Sequence, residues 1–315
     1  MKSMRIAVLM GGRSLERDVS LRSGRRVSRA LAELGHEVLD LDMDESLVPT
    51  LIRERPDLVY IALHGKFGED GTVQELLEIL DVPFTGPGVF ASALGFNKAL
   101  SKEVFRREGI PTPPYFVLSE ATFQEMGALH ALRPVGEKLG FPLVVKPVAQ
   151  GSALGIRVVP SFDNLVEAVR TALHYDDRVI MEKYVKGLEV AASIIGNDEL
   201  EALPLVEAVP RGGFFDFESR YTPGLTDYYC PARLDDALTR RAIDVALSTH
   251  RALGCVNVSR VDMIIDEEGA PQVLELNISP GMTETSLLPM AAEVAGLGFK
   301  ELVERLVSLA MEKYS

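Results

Sequence analysis

Apolar residues along this chain come in short runs that alternate with stretches of helical spacing. Arg5 to Met10 reads Arg-Ile-Ala-Val-Leu-Met, a run of strand length that stops at Gly11-Gly12. From Ser20 to Leu34 apolar positions return at helical intervals, and Gly35 supplies a helix stop. Strand signals follow at Glu37 to Leu41 and Leu58 to Leu63, then a short helix at Val73 to Leu80 and a strand at Val82 to Thr85. Such alternation predicts a parallel sheet, with functional groups at the carboxyl ends of its strands.

After the turn Gly86-Pro87-Gly88 the pattern changes. One helix is predicted from Ser92 to Arg107, and Ile110-Pro-Thr-Pro-Pro114 reads as a rigid linker. Strands at Pro142 to Pro147, Ile156 to Val159 and Arg178 to Glu182, with a helix at Asn164 to Leu173, make a small α+β unit. From about Leu188 the chain is strand-rich. An irregular aromatic segment runs from Phe214 to Tyr229, followed by helices at Asp235 to Leu253 and Phe299 to Glu312. The expected division is 1–97, 98–186 and 187–315.

Between those last helices lies the most informative stretch, from Arg260 to Ser286. Met263-Ile264-Ile265 and Gln272-Val273-Leu274 read as two strands of a hairpin turning at Asp266-Glu267-Glu268-Gly269. That hairpin brings Asp262 near Glu275 and Asn277, which share a face because they are two residues apart. Two carboxylates and an amide oxygen suit a hard cation such as Mg²⁺, which uses few carboxylates plus substrate phosphates. Arg260 faces the same way and can stabilise an anionic oxygen.

Two other segments carry phosphate and purine chemistry. Lys146 ends an apolar strand and is followed by Gln150-Gly151-Ser152-Ala153-Leu154-Gly155. Glycines let backbone N–H groups approach phosphate oxygens, and a lysine adds a point charge. No Gly-Lys-Ser/Thr follows, so the loop is not a Walker A motif. Lys98 offers a second phosphate-binding cation. In Glu182-Lys183-Tyr-Val185-Lys-Gly-Leu-Glu189, backbone at Lys183 and Val185 can meet a purine edge while Glu189 accepts from ribose hydroxyls.

Composition narrows the classes. The chain has 315 residues, 47% apolar and 25% charged, the profile of a globular protein of two or three domains. Its net charge of −13 argues against nucleic acid as a main partner. Arg22, Arg25, Arg26 and Arg29 fall at helical spacing and read as a solvated face. No apolar run approaches membrane-spanning length, no secretory segment follows Met1, and Cys230 with Cys255 are too few for a disulfide framework. The expectation is a cytoplasmic protein without membrane partners.

Taken in order, Lys98, the Lys146 strand with its Gly-Ser loop, Glu182 to Glu189 and the Arg260–Asn277 hairpin resemble the ATP-grasp superfamily. Asn277-Ile-Ser-Pro-Gly281-Met-Thr-Glu-Thr-Ser286, Gly11-Gly12-Arg-Ser-Leu-Glu16 and His64-Gly-Lys-Phe-Gly-Glu-Asp-Gly71 are similar to signatures of D-alanine–D-alanine ligases. The resemblance spans essentially the whole chain. It implies an ATP-grasp fold, mixed α/β and α+β, preceded by a Rossmann-like parallel-sheet domain.

The resemblance also implies a reaction: ATP-dependent joining of two D-alanines through a D-alanyl-phosphate, for peptidoglycan synthesis, in a cytoplasmic enzyme commonly dimeric. Glu16 would hold the ammonium of the first D-alanine, with His64 nearby. Arg260 and the Gly281 N–H would form the oxyanion site, and Ser286 would bind the second substrate's carboxylate. Asp262, Glu275 and Asn277 would hold two Mg²⁺ or Mn²⁺ ions. Lys98 and Lys146 would contact phosphates and Glu189 the ribose, with Glu182, Lys183 and Val185 also in the ATP site. Tyr221 would bond Glu16 and Ser152 to close a loop over the intermediate, excluding water.

Three positions depart from the family's pattern. Ala153 replaces a second loop serine, Arg220 stands where lysine is common, and Thr285 replaces a frequent histidine beside Ser286. Competing readings are a D-alanyl-D-lactate or D-alanyl-D-serine ligase, against which Tyr221 argues, and a ligase for another amino acid, against which Glu16 and His64 argue. An inactive ATP-binding protein is a third, opposed by the intact Arg260, Asp262, Glu275 and Asn277.

Overall fold

The computed structural model describes residues 3–127, 130, 132–212, 222 and 224–314. The N-terminal sheet is parallel, in the order β2-β1-β3, built from β1 (Arg5–Met10), β2 (Glu37–Asp42) and β3 (Leu58–Ile61). Side chains of β1 alternate between two cores. Ile6, Val8 and Met10 join one, while Ala7 and Leu9 join the other with Leu47, Leu51 and Phe84. Burial on both faces is why β1 reads as an unbroken apolar run. Helix α1 (Arg17–Glu33) packs on β1 and β2, and α2 (Leu47–Glu54) and α3 (Thr72–Ile79) follow.

Two expectations for this region are corrected. Val82 to Thr85 forms only a parallel bridge, Val59 to Phe84, because Pro83 has no N–H to extend the ladder and Gly86 turns the chain at φ 89°. The helix expected from Ser92 to Arg107 is two helices, α4 (Val89–Phe96) and α5 (Lys98–Arg107). Asn97 between them is extended, and its side chain accepts from the Leu100 N–H as the N-cap of α5.

A second, antiparallel sheet has the order β4-β7-β5-β6, from β4 (Tyr115–Ser119), β5 (Leu143–Pro147), β6 (Arg157–Val159) and β7 (Arg178–Lys183). Helices α6 (Glu120–Glu125), α7 (Leu132–Leu139) and α8 (Phe162–Leu173) complete the unit. Leu143, Val145, Val179 and Met181 pack against Leu165 and Val169 of α8. The two-residue period then puts Val144, Lys146 and Glu182 on the opposite face.

The third sheet is antiparallel, in the order β11-β10-β8-β12-β13, with β9 also paired to β8. Its strands are β8 (Gly187–Gly196), β9 (Leu200–Ala202), β10 (Val206–Pro210), β11 (Thr226–Tyr229), β12 (Asn257–Asp266) and β13 (Pro271–Asn277). On one face Val190, Ala192, Val261 and Met263 meet Phe105 and the helix α9 (Asp236–Ala252). On the other, Ala191, Ile195 and Val258 share a core with α10 (Leu287–Val294), α11 (Phe299–Lys313) and β1. Of the segment expected to be irregular, Thr226–Tyr229 is strand β11; residues 213–221 and 223 lie outside the described residues. Among the described residues, no helix is long and apolar enough to cross a membrane.

Candidate active site

The β12–β13 ladder sets the centre of the site. Asp262 pairs directly with Glu275 and Arg260 with Asn277, so all four side chains leave the same face. A register shift follows at once, between Asp262 and Met263. Being two residues apart on one strand, Arg260 and Asp262 form a forked ion pair, Nε to Oδ1 2.7 Å and Nη2 to Oδ2 2.8 Å, both largely buried. Asn277 Oδ1 accepts from the Ser279 N–H at 3.0 Å.

The break at Asn97 places Lys98 at the first turn of α5. Its Nζ donates to the Gln150 carbonyl at 2.8 Å and pairs with Glu275 Oε2 at 3.2 Å, while its N–H bonds the Val148 carbonyl at 3.1 Å. Lys98 therefore ties the glycine-rich loop to the hairpin.

Two clefts meet at Glu275, which lines both. One lies between the second and third sheets and is lined by Lys146, Glu182, Lys183, Val185, Glu189 and Asp262. Lys146 Nζ lies 2.6 Å from Glu182 Oε2. On the other side of that carboxylate, Lys102 Nζ is 3.1 Å from Oε1 and donates to Thr112 Oγ1 at 2.5 Å. Burial works against the Glu182 carboxylate, but the two lysines hold it below its ordinary value. Burial likewise pulls Lys102 down to about 8, against the pull of Glu182. Lys102 was not among the expected site residues. The signal for it was its position four residues after Lys98, one turn along the same helix face.

The second cleft is lined by Glu16, His64, Lys98 and Ser152 on one side and by Arg260, Asn277, Gly281 and Ser286 on the other. Glu16 caps α1 just beyond β1, and His64 follows β3, both at strand carboxyl ends. Ser152 Oγ donates to Glu16 Oε1. Burial and the neighbouring Glu69 push Glu16 up to about 7, although the Ser152 hydroxyl, His64 and Lys98 all favour its charged form. His64 Nε2 shares a hydrogen bond with Ser23 Oγ at 3.1 Å, and Nδ1 lies 3.8 Å from Glu69 Oε1.

The walls around Glu16 are glycine. A Cβ on Gly151 would stand 2.6 Å from Glu16 Oε2, and a Cβ on Gly65 would collide with the same oxygen. On the far side, Ser286 Oγ accepts from the Thr283 N–H at 3.0 Å and bonds Thr283 Oγ1 at 2.8 Å. Thr285 also faces this cleft.

The expected site residues thus divide between two adjoining clefts; Tyr221 lies outside the described residues, as does Arg220. Among the described residues no three His, Cys, Asp or Glu side chains gather closely enough to hold a metal by themselves. Asp262, Glu275 and Asn277 nevertheless offer oxygen ligands from one face of the hairpin where the two clefts adjoin, which fits a hard cation that takes its remaining ligands from phosphates and water.

A small antiparallel sheet facing a larger one across a cleft, with lysines and a carboxylate hairpin at its inner end, defines an ATP-grasp enzyme. A family model described as D-ala D-ala ligase C-terminus matches residues 104–308, and one described as D-ala D-ala ligase N-terminus matches residues 48–87. The D-alanine–D-alanine ligase of Pelotomaculum thermopropionicum is 43% identical over 98% of this chain and 98% of its own. That of Desulforamulus reducens is 44% identical over 99% and 100%. Among solved structures, D-alanine–D-alanine ligase from Bacillus anthracis matches with TM-score 0.85 at 35% identity, covering 98% of each chain. The same enzyme complexed with ATP gives TM-score 0.82 at 34%, again over 98% of each chain. The VanG D-Ala:D-Ser ligase of Enterococcus faecalis gives 0.83 at 29%, over 98% of this chain and all of its own. The chain belongs to the D-alanine–D-alanine ligase family.

Proposed function

We propose that this chain joins two D-alanines to D-alanyl-D-alanine, converting ATP to ADP and phosphate, and so supplies peptidoglycan synthesis in the cytoplasm. The observation that carries the reading is the meeting of the two clefts at Glu275, with Arg260 its diagonal neighbour on the facing strand. A nucleotide in one cleft presents its terminal phosphate to an amino acid in the other.

In this reading the base lies against Glu182, Lys183 and Val185 and the ribose against Glu189, with Lys98 and Lys146 on the phosphates. Glu16 holds the ammonium of the first D-alanine, with His64 beside it. The carboxylate of that first D-alanine attacks the γ-phosphorus, the bond to ADP breaks, and an acyl-phosphate forms. The amine of the second D-alanine, whose carboxylate rests at Ser286, then attacks the acyl carbon. The tetrahedral oxyanion faces Arg260 and the Gly281 N–H, and its collapse expels phosphate while the new amide nitrogen loses a proton. Charge builds on oxygen in both steps, so fixed donors act where they lower the barrier most. Asp262, Glu275 and Asn277 would hold two Mg²⁺ or Mn²⁺ ions, which would offset the phosphate charge. Tyr221 and Ser152 belong to the closure over Glu16.

We read residues 1–97, 98–186 and 187–315 as the first-substrate, lid and catalytic units. We also read the enzyme as a homodimer, for which the exposed Ile79 and Phe90 on neighbouring helices offer an apolar surface.

Purified protein given D-alanine, ATP and Mg²⁺ is expected to release phosphate and dipeptide, and to do neither with L-alanine. Mass spectrometry of products from mixed D-alanine, D-lactate and D-serine separates the dipeptide reading from the depsipeptide and D-serine ones. Absence of any D-alanine-dependent product overturns the proposal.

A further inference from the structure

Helix α1 reaches both sides of the second cleft. Its first end carries Glu16. Two turns on, Ser23 Oγ accepts from the Met282 N–H at 3.2 Å and bonds His64 Nε2. One turn further, Arg26 Nη1 donates to the Met282 carbonyl at 3.1 Å and the Thr283 carbonyl at 2.8 Å. Its guanidinium lies 3.7 Å over the Phe299 ring, a cation–π contact that helps to hold it in place.

These carbonyls belong to the loop between Gly281 and Ser286. The Thr283 carbonyl also accepts from the Ser286 N–H at 3.2 Å, while the Thr283 N–H donates back to Ser286 Oγ. Thr283 and Ser286 thus hold each other through a reciprocal pair. Arg26 takes up the remaining lone pair of the carbonyl that closes it. Gly281 lies against the same hydroxyl: a Cβ there would meet Ser286 Oγ at 2.7 Å.

We infer that Arg26 is a positioning residue for the second substrate, aiming the Gly281 N–H and the Ser286 hydroxyl into the cleft by holding the carbonyls behind them. Arg26 is not among the residues lining the cleft. It acts only through the loop. Helix α1 carries Glu16 as well, so one rigid element registers the pockets for both amino acids. The inference rests on the proposed ligation for the meaning of those pockets, but the restraint on the loop is independent of it.

Arg26→Met keeps an unbranched apolar side chain and removes the guanidinium, with its two bonds from Nη1 and its contact with Phe299. In initial-rate measurements against D-alanine, its KM for the second D-alanine is expected to rise on the order of tenfold, the loss of a charge-assisted hydrogen bond. The KM for the first D-alanine and for ATP stay near wild type, and Arg26→Lys recovers part of the loss. An unchanged second-site KM, or a parallel rise in all three constants, overturns the inference. A measurement without turnover accompanies this. Amide hydrogen exchange of residues 281–286 in ligand-free protein is expected to quicken in Arg26→Met, and unchanged protection also overturns it. Wild-type protein that forms no dipeptide while the variant loosens the loop would count against the ligase reading and not against the restraint.

Discussion

Ser152 donates a hydrogen bond to Glu16 across 136 residues of sequence. It joins the glycine-rich loop of the second sheet to the first helix of the N-terminal unit. The contact forms the floor of the cleft where the two units meet, and it is made to a carboxylate that burial has already pushed towards neutrality.

That carboxylate predicts a pH dependence. Glu16 ordinarily titrates at 4.5 and is raised to about 7 here, so the folded protein binds its proton more tightly than the unfolded chain does. The resulting stabilisation is fully present below about 4.5 and is lost as pH rises through about 7. The ligand-free wild type should therefore lose melting temperature between about pH 4.5 and 7 relative to Glu16→Gln, which lacks the titration. The first-site kcat/KM for D-alanine should fall as pH drops through the same range, because an ammonium needs the ionised form. Parallel melting curves for the two proteins across that window would defeat the assignment.

Glycine at position 151 predicts a steric effect separable from stability. Gly151 is outside the left-handed region, so alanine meets no backbone strain there, only Glu16 Oε2 at 2.6 Å. Gly151→Ala should displace the carboxylate, raising the first-site KM by about tenfold while moving the melting temperature little. A steady-state titration with D-alanine, alongside calorimetry, measures both. A variant with wild-type KM would mean that Glu16 does not touch the first substrate.

Much of this site could be read from the chain because its chemistry is local. Asp262, Glu275, Asn277 and Arg260 sit on one hairpin, and the two-residue period of a strand suffices to put them on one face. Other parts depend on packing that no local pattern carries. Strand β8 is buried on both faces through Val190 to Gly196, so it shows no alternation and reads only as strand-rich chain. The break at Asn97 involves neither proline nor glycine, yet it decides where Lys98 points. Arg26 looks like one more charge on the exposed stripe with Arg22, Arg25 and Arg29 until the loop 256 residues away is folded against it.

Lys102, which lines neither cleft, predicts a stability effect. It is fully buried, shares Glu182 with Lys146 and bonds Thr112, whose hydroxyl in turn donates to the Val273 carbonyl at 2.7 Å. Leaving a buried charge wholly uncompensated typically costs about 3–5 kcal/mol, but Glu182 keeps Lys146 at 2.6 Å, so losing Lys102 alone costs only part of that. Lys102→Met should therefore lower unfolding free energy in urea titrations by less than that full penalty. Adding Glu182→Gln should recover part of it, since the carboxylate left with a single counter-ion is then gone. A double variant no more stable than the single one would place the cost in lost packing instead.

Arg260 carries the sharpest prediction, because it has two partners to answer to. Its guanidinium is held flat against Asp262 by two bonds of 2.7 and 2.8 Å, and it also lines the cleft beside Gly281. A fork fixed by one carboxylate is preorganised to receive a developing oxyanion with little rearrangement. Arg260→Ala should then lower kcat by about 10²–10³-fold or more, the range for losing an oxyanion donor. ATP binding, followed by calorimetry without D-alanine, should persist, since the base and ribose contacts lie elsewhere. Arg260→Lys keeps the charge but not the planar fork, so it should bind ATP normally and recover only a small part of turnover. Wild-type-like turnover in the alanine variant would remove Arg260 from the reaction and leave it as a structural partner of Asp262.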